Sequence, residues 1–185
     1  QHKWQDQPLP DEPGEDEPYL RACAALCWLL TIPGGPMLYA GDEYGAYEAS
    51  DPDDRHPFRG LAVASGAAKA GKLSGRESGL LAAVQKLGKA GATLAPLRYG
   101  GYESLGADET VMPFLRRLLS GEAAVVVAVH RGGKAESRTL DLSKLGRKSG
   151  AATEVLGLGG KLSVQGGKGA LSPLPWGCAV FVVPK

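Results

Sequence analysis

The chain has no asparagine among its 185 residues, so no Asn-x-Ser/Thr acceptor for N-glycosylation exists. Cysteine is scarce and odd in number. Three cysteines without a regular spacing argue against a disulfide scaffold. Cys23 and Cys27 lie one helical turn apart, as core neighbours do, and read as small buried apolar residues. Charge of neither sign is in excess: 21 Lys and Arg against 20 Asp and Glu leave a net charge of +1. That balance supplies no long-range attraction for polyanions, which weighs against nucleic acid and anionic membrane as partners. A long apolar run is missing too. The longest, over residues 22–32, falls short of the roughly 20 residues that a bilayer span needs, and it reads as a buried helix. The opening residues, QHKWQDQPLPDEPGEDEP, lack the basic start and apolar core of a secretory signal, although a chain beginning inside a longer protein would look the same.

Composition then divides the chain. Residues 1–17 hold prolines and clustered carboxylates, which favour an irregular loop. From Pro18, the apolar positions Leu20, Ala24, Cys27, Trp28, Leu30 and Ile32 predict a helix that Pro33 ends. Residues 36–40 form a short apolar run bounded by turn residues, the pattern of a fully buried parallel strand. Residues 60–78, rich in Gly, Ala, Ser and Lys, read as a flexible insertion. Leu80, Leu81, Val84 and Leu87 mark one face of a second helix. Beyond Tyr99 the pattern changes to strands between glycine and polar turns, over 110–118, 123–130, 137–142, 151–156 and 178–183. No internal repeat has a convincing period.

Residues 29–58 carry the most specific pattern: Pro33-Gly34-x-Pro36, a short apolar run, Tyr39-x-Gly41-Asp42-Glu43, then Asp51-Pro52-x-x-Arg55. In order and spacing this resembles the end of the catalytic barrel in the α-amylase family of glycoside hydrolases. TLAPLRYG (residues 93–100) is similar to the family's exit from the last barrel helix, and the C-terminal Trp176-Gly177 with Ala179-Val180-Phe181 to its closing strand.

The resemblance implies an α/β part followed by an all-β part. Residues 1–97 would be the last strand and helix units of a (β/α)8 barrel, and residues 98–185 an antiparallel β-sandwich. A complete barrel takes roughly 250 residues, so the chain would be the C-terminal part of such an enzyme, a split-gene product or an assembly subunit. Retaining hydrolysis of an α-glycosidic bond uses two carboxyl groups about 5–5.5 Å apart. In the family the nucleophile and acid come from strands four and five. They would lie upstream, which assigns no catalytic residue here and no activity to this segment alone.

The resemblance gives Asp51 and Arg55 a substrate-binding role on outer glucose subsites. Their chemistry suits sugar, since a carboxylate accepts from hydroxyls and a guanidinium donates in a fixed fork. Arg55 paired with Asp51, Asp53 or Asp54 to hold the loop is the structural alternative. On one register His2 falls where the family has a substrate-contacting histidine and Lys3 replaces the third catalytic carboxylate, with Asp6 the nearest alternative; the other reading is a terminus whose residues are unrelated to that motif. Asp54 stands where the family has Asn, which removes an amide donor. Asp42 and Glu43 correspond to loop anchors. The implied partners are α-glucans or maltooligosaccharides and the remainder of the barrel. No cofactor and no metal site is expected: Asp51, Asp53 and Asp54 lack the glycine and distal Glu of an EF-hand.

Three other features have plain readings. His56 and His130 have no companion at metal-ligand or triad spacing. Gly157-Leu158-Gly159-Gly160 follows a strand, but no helix follows to complete a phosphate site. Trp176 suits a core position or, if exposed, stacking on sugar. An alternative to the enzyme is a non-catalytic, degenerate relative that keeps the barrel remnant as a binding surface.

Overall fold

A computed structural model describes residues 16–46, 73–121, 124–134, 136–146, 149–172 and 176–183. Helix α1 (Glu17–Thr31) has Pro18 in its first turn, where a missing N–H costs nothing. It ends before Pro33, whose ring disfavours helical geometry at Ile32 (ψ 160°). Its buried face is Tyr19, Cys23, Ala24, Leu26 and Cys27. The expected face was different: Leu20 and Trp28 point outward, Trp28 with 41% of its surface exposed. Apolar residues run around most of this helix, so periodicity could not select the stripe that meets the core.

The strand expected at residues 36–40 does not form, and Met37 is 84% exposed. A strand needs a neighbour for its backbone N–H and C=O groups, and none among the described residues runs beside this segment. Helix α2 (Gly75–Thr93) opens on a capping box. The Ser74 hydroxyl accepts from the Glu77 N–H at 3.2 Å, and the Glu77 carboxylate accepts from the Ser74 N–H at 2.8 Å. Residues 75–78, expected to end the flexible insertion, are therefore the first turn of α2. Leu80, Val84 and Leu87 are buried as the periodicity predicts, with Leu81 only partly so. A short α3 (Ala95–Tyr99) follows, with Pro96 near its start.

The β-sandwich expected beyond residue 98 is present. Its strands are β1 (Gly101–Ser104), β2 (Val111–Arg117), β3 (Ala124–His130), β4 (Arg138–Asp141), β5 (Gly150–Ala151), β6 (Thr153–Glu154), β7 (Lys161–Gln165), β8 (Lys168–Ser172) and β9 (Cys178–Val182). One sheet has the order β1-β2-β3-β9-β6 and the other β4-β8-β7-β5, and every pairing is antiparallel. The strand predicted over 151–156 is two: β5 pairs with β7 in one sheet and β6 with β9 in the other. The chain changes sheets at Ala152, whose N–H bonds the Leu162 carbonyl at 2.9 Å. The β7–β8 hairpin lies outside the strands that the sequence pattern predicts, although its sequence alternates around Gly166-Gly167. Both glycines have positive φ (55° and 78°), as a type I′ turn requires.

The five-stranded sheet is covered on both faces. Along β3, Val125, Val127 and Val129 enter a core shared with α1, α2 and α3, while Ala124, Val126 and Ala128 face the second sheet. This explains a continuous apolar run in an antiparallel strand, where one wet face would have produced alternation. Arg116 on β2 is fully buried. Its guanidinium donates to the carbonyls of Thr31, the last residue of α1, and of Gly100 at 2.8 Å, so one side chain ties two helix ends to the sheet.

Candidate functional site

The segment leading to Asp51 and Arg55 is built from residues 39–46. Gly41 (φ 105°) and Gly45 (φ 74°) flank a 3-10 turn, Asp42–Tyr44. The Asp42 carboxylate accepts from the Tyr39 N–H at 3.0 Å and the Glu43 carboxylate from the Gly41 N–H at 2.9 Å. Backbone bonds from Tyr44 and Ala46 to the Gly41 carbonyl close the turn. Gly41 is required here: a Cβ would lie 2.7 Å from that of Ala46. Tyr44 is buried, and Gly45 packs against the Tyr19 ring of α1 and Leu80 of α2. Both carboxylates are thus committed to the chain's own backbone, which agrees with their reading as anchors. The turn is a fixed stem from which the chain continues at residue 47.

Asp51, Arg55 and His2, the residues expected to bind substrate, lie outside the described residues, as do Lys3, Asp53, Asp54 and His56. Among the described residues no group of His, Cys, Asp and Glu is placed to hold a metal ion, and no helix is long and apolar enough to cross a membrane. His130 is buried at the end of β3, and its N–H bonds the Gly177 carbonyl at 2.8 Å.

The glycine loop after β6 is filled from within. The Glu154 carboxylate accepts from the N–H groups of Leu156 (2.8 Å), Gly157 (2.6 Å) and Leu158 (3.1 Å). This concave set of amides would suit a phosphate, but it already holds an anion. Lys86 of α2 closes the other side by donating to the Leu156 carbonyl at 2.8 Å.

Trp176 is half-buried, with the Arg21 guanidinium 4.1 Å from its ring centroid. A groove of about 520 Å³ runs between α1 and the sheet, bounded by Arg21, Trp28, Met112, Val129, Arg131 and Trp176. No sequence signal joins positions 28, 131 and 176, which only the fold brings to one groove.

The described fold has clear counterparts among solved structures. An Anoxybacillus α-amylase superposes with a TM-score of 0.70 at 24% identity, over 90% of this chain and 33% of its own. AmyP in complex with maltose gives 0.71 at 21% identity, over 93% and 36%. The α-amylase of Geobacillus thermoleovorans, complexed with acarbose, gives 0.69 at 20% identity, over 91% and 34%. The fold is that of part of an α-amylase. The chain spans about a third of the length of the structures it matches. Its antiparallel sheets fit the C-terminal β-domain of amylases, and the structural relatives are glycosidases of that family. No protein-family model and no curated protein matches the sequence.

Proposed function

We propose that the chain is the C-terminal part of a retaining α-glycoside hydrolase acting on α-glucans or maltooligosaccharides. Residues 1–97 supply the end of its catalytic barrel, with 60–74 as an insertion before α2, and residues 98–185 a stabilising sandwich. One observation carries the reading: the α-amylase likeness extends over nine-tenths of the chain. The barrel motif at residues 33–55 supports it independently. The outward-facing Trp28, Met37 and Tyr39 suit a surface that the remainder of the barrel covers. The relatives solved with maltose and maltotriose support the substrate class.

In this reading Asp51, Arg55 and His2 bind glucose units, while the nucleophile and acid come from the remainder of the barrel. The test is an assay of the assembled protein on maltooligosaccharides. Asp51→Ala and Arg55→Ala are each expected to lower kcat/KM by about 10–100-fold, the loss of one or two charge-assisted hydrogen bonds. The product should keep its anomeric configuration. Intact turnover in both variants would remove these residues from the site. A degenerate relative is the second reading, favoured by Lys3 at the register of a catalytic Asp. It predicts saccharide binding without turnover from the same assembly.

A further inference from the structure

The groove between α1 and the sheet brings two indoles and two guanidiniums together over an apolar floor of Met112 and Val129. Arg21 and Trp28 stand two helical turns apart on α1, about 10 Å along its axis, so the groove suits an elongated occupant. Trp176 lies at the Arg21 end, with the guanidinium over its ring. Among the described residues Trp176 is the only non-glycine residue with positive φ, 45°. That conformation costs a bulky side chain energy and a glycine none, so the indole is kept against the preference of its own backbone. Its place is nonetheless fixed. The Trp176 N–H bonds the Gly132 carbonyl at 3.0 Å, and a Cβ on Gly133 would lie 3.3 Å from the indole nitrogen. Arg131 gives only its Nε to the chain, to the Glu109 carbonyl, and its terminal N–H groups have no partner among the described residues.

We infer that this groove is a second, non-catalytic binding site for a linear α-glucan, with Trp28 as the platform for a sugar ring and Arg21 and Arg131 as donors to its hydroxyls. The choice of α-glucan rests on the function proposed above; the site rests on its own geometry. A pyranose has an apolar C–H face and a rim of hydroxyls. The half-exposed Trp28 indole covers the first, and the guanidiniums donate to the second. Trp176 is a positioning residue, holding Arg21 over its ring. A neutral sugar fits better than an anion, because the Glu17 carboxylate already pairs with Arg21. Trp28 also borders a separate hollow with Leu29, Asp42 and Ala46, on the side of the stem at residues 39–46. A barrel docked on the stem side covers that hollow and leaves the groove side of the indole open.

The chain has three tryptophans, so Trp4→Phe leaves Trp28 and Trp176 as its only indole reporters. Titrating that variant with maltoheptaose should give a saturable change in indole fluorescence. By calorimetry, Trp28→Ala and Trp176→Ala should each weaken binding by about 10-fold or more, and Arg131→Gln by about 3–10-fold. Arg131→Gln alters an exposed side chain and decides the matter even where Trp176→Ala does not fold. Asp51→Ala should bind in the groove unchanged. In the assembled protein, Trp28→Ala and Arg131→Gln should raise KM for long glucans and leave maltotriose turnover as it is. No saturable change, binding that survives all three groove substitutions, or binding lost with Asp51→Ala would each overturn the site. So would a fluorescence change caused by the remainder of the barrel and not by saccharide, which gives the groove to a protein contact. Groove binding without turnover keeps this site and removes the hydrolase reading; maltotriose turnover without groove binding does the reverse.

Discussion

Arg116 is a single side chain that holds two helix ends. Its buried guanidinium satisfies the carbonyls that end α1 and follow α3, and burial pushes its pKa down from the usual value. Arg116→Met keeps most of the volume but strands both carbonyls, and should lower stability by about 2–4 kcal/mol in a urea titration. Glu154→Ala should cost about 1–3 kcal/mol by the same measurement, because three amides of the glycine loop lose their acceptor together. Asp108 provides the pH-dependent case. The hydrogen bond from Arg138, then the N–H groups of Val111 and Thr110, hold its carboxyl well below the usual carboxylate range. A lowered folded pKa stabilises the protein above the unfolded value of about 3.9. That contribution is lost as pH falls through the folded value. Calorimetry should show Asp108→Asn melting below the parent protein at neutral pH, and the gap closing under acid conditions.

At the scale of elements, local sequence explains the helix ends. The Ser74–Glu77 capping box starts α2, and Ser74→Ala should remove about 1 kcal/mol of stability, measurable by thermal melting. Pro33 stops α1. The stem at residues 39–46 depends on its glycines, and Gly41→Ala meets both a positive φ and the Ala46 methyl group. The β7–β8 hairpin is legible in its sequence: KLSVQGGKGALS alternates buried and exposed residues around a two-glycine turn. By contrast, the split of 151–156 between two sheets was not legible, since both short strands share one apolar-leaning stretch and only their partners distinguish them.

At the scale of the molecule, helices and sandwich share a core. Phe114, Val125, Val127, Val129 and Val180 of the sheet pack against α1, α2 and α3. A chain beginning at residue 98 would expose that face. At about 1.5–3 kcal/mol per large apolar side chain, the loss rivals the whole stability of a domain, about 5–15 kcal/mol. Such a shortened chain should bind a hydrophobic dye or aggregate rather than unfold cooperatively; a sharp two-state melt would show that the sandwich stands alone.

The sequence by itself determined two of the helices and the stop of α1, the central strand β3, the run of strands in the C-terminal half and the family resemblance. These follow from local chemistry: a proline at Ile32-Pro33 and apolar runs of helical or strand length. The family resemblance also implied Asp42 and Glu43 as anchors, and both carboxylates accept from backbone N–H groups within three residues. Tertiary structure decided what local pattern leaves degenerate. It chose which side of the apolar α1 is buried, left residues 36–40 without a strand to pair with, filled the glycine loop with Glu154, and gathered Cys178 with Cys23 and Cys27 in one core. Each of these depends on partners distant in sequence, and periodicity carries no record of which distant segment will supply the other half of a contact.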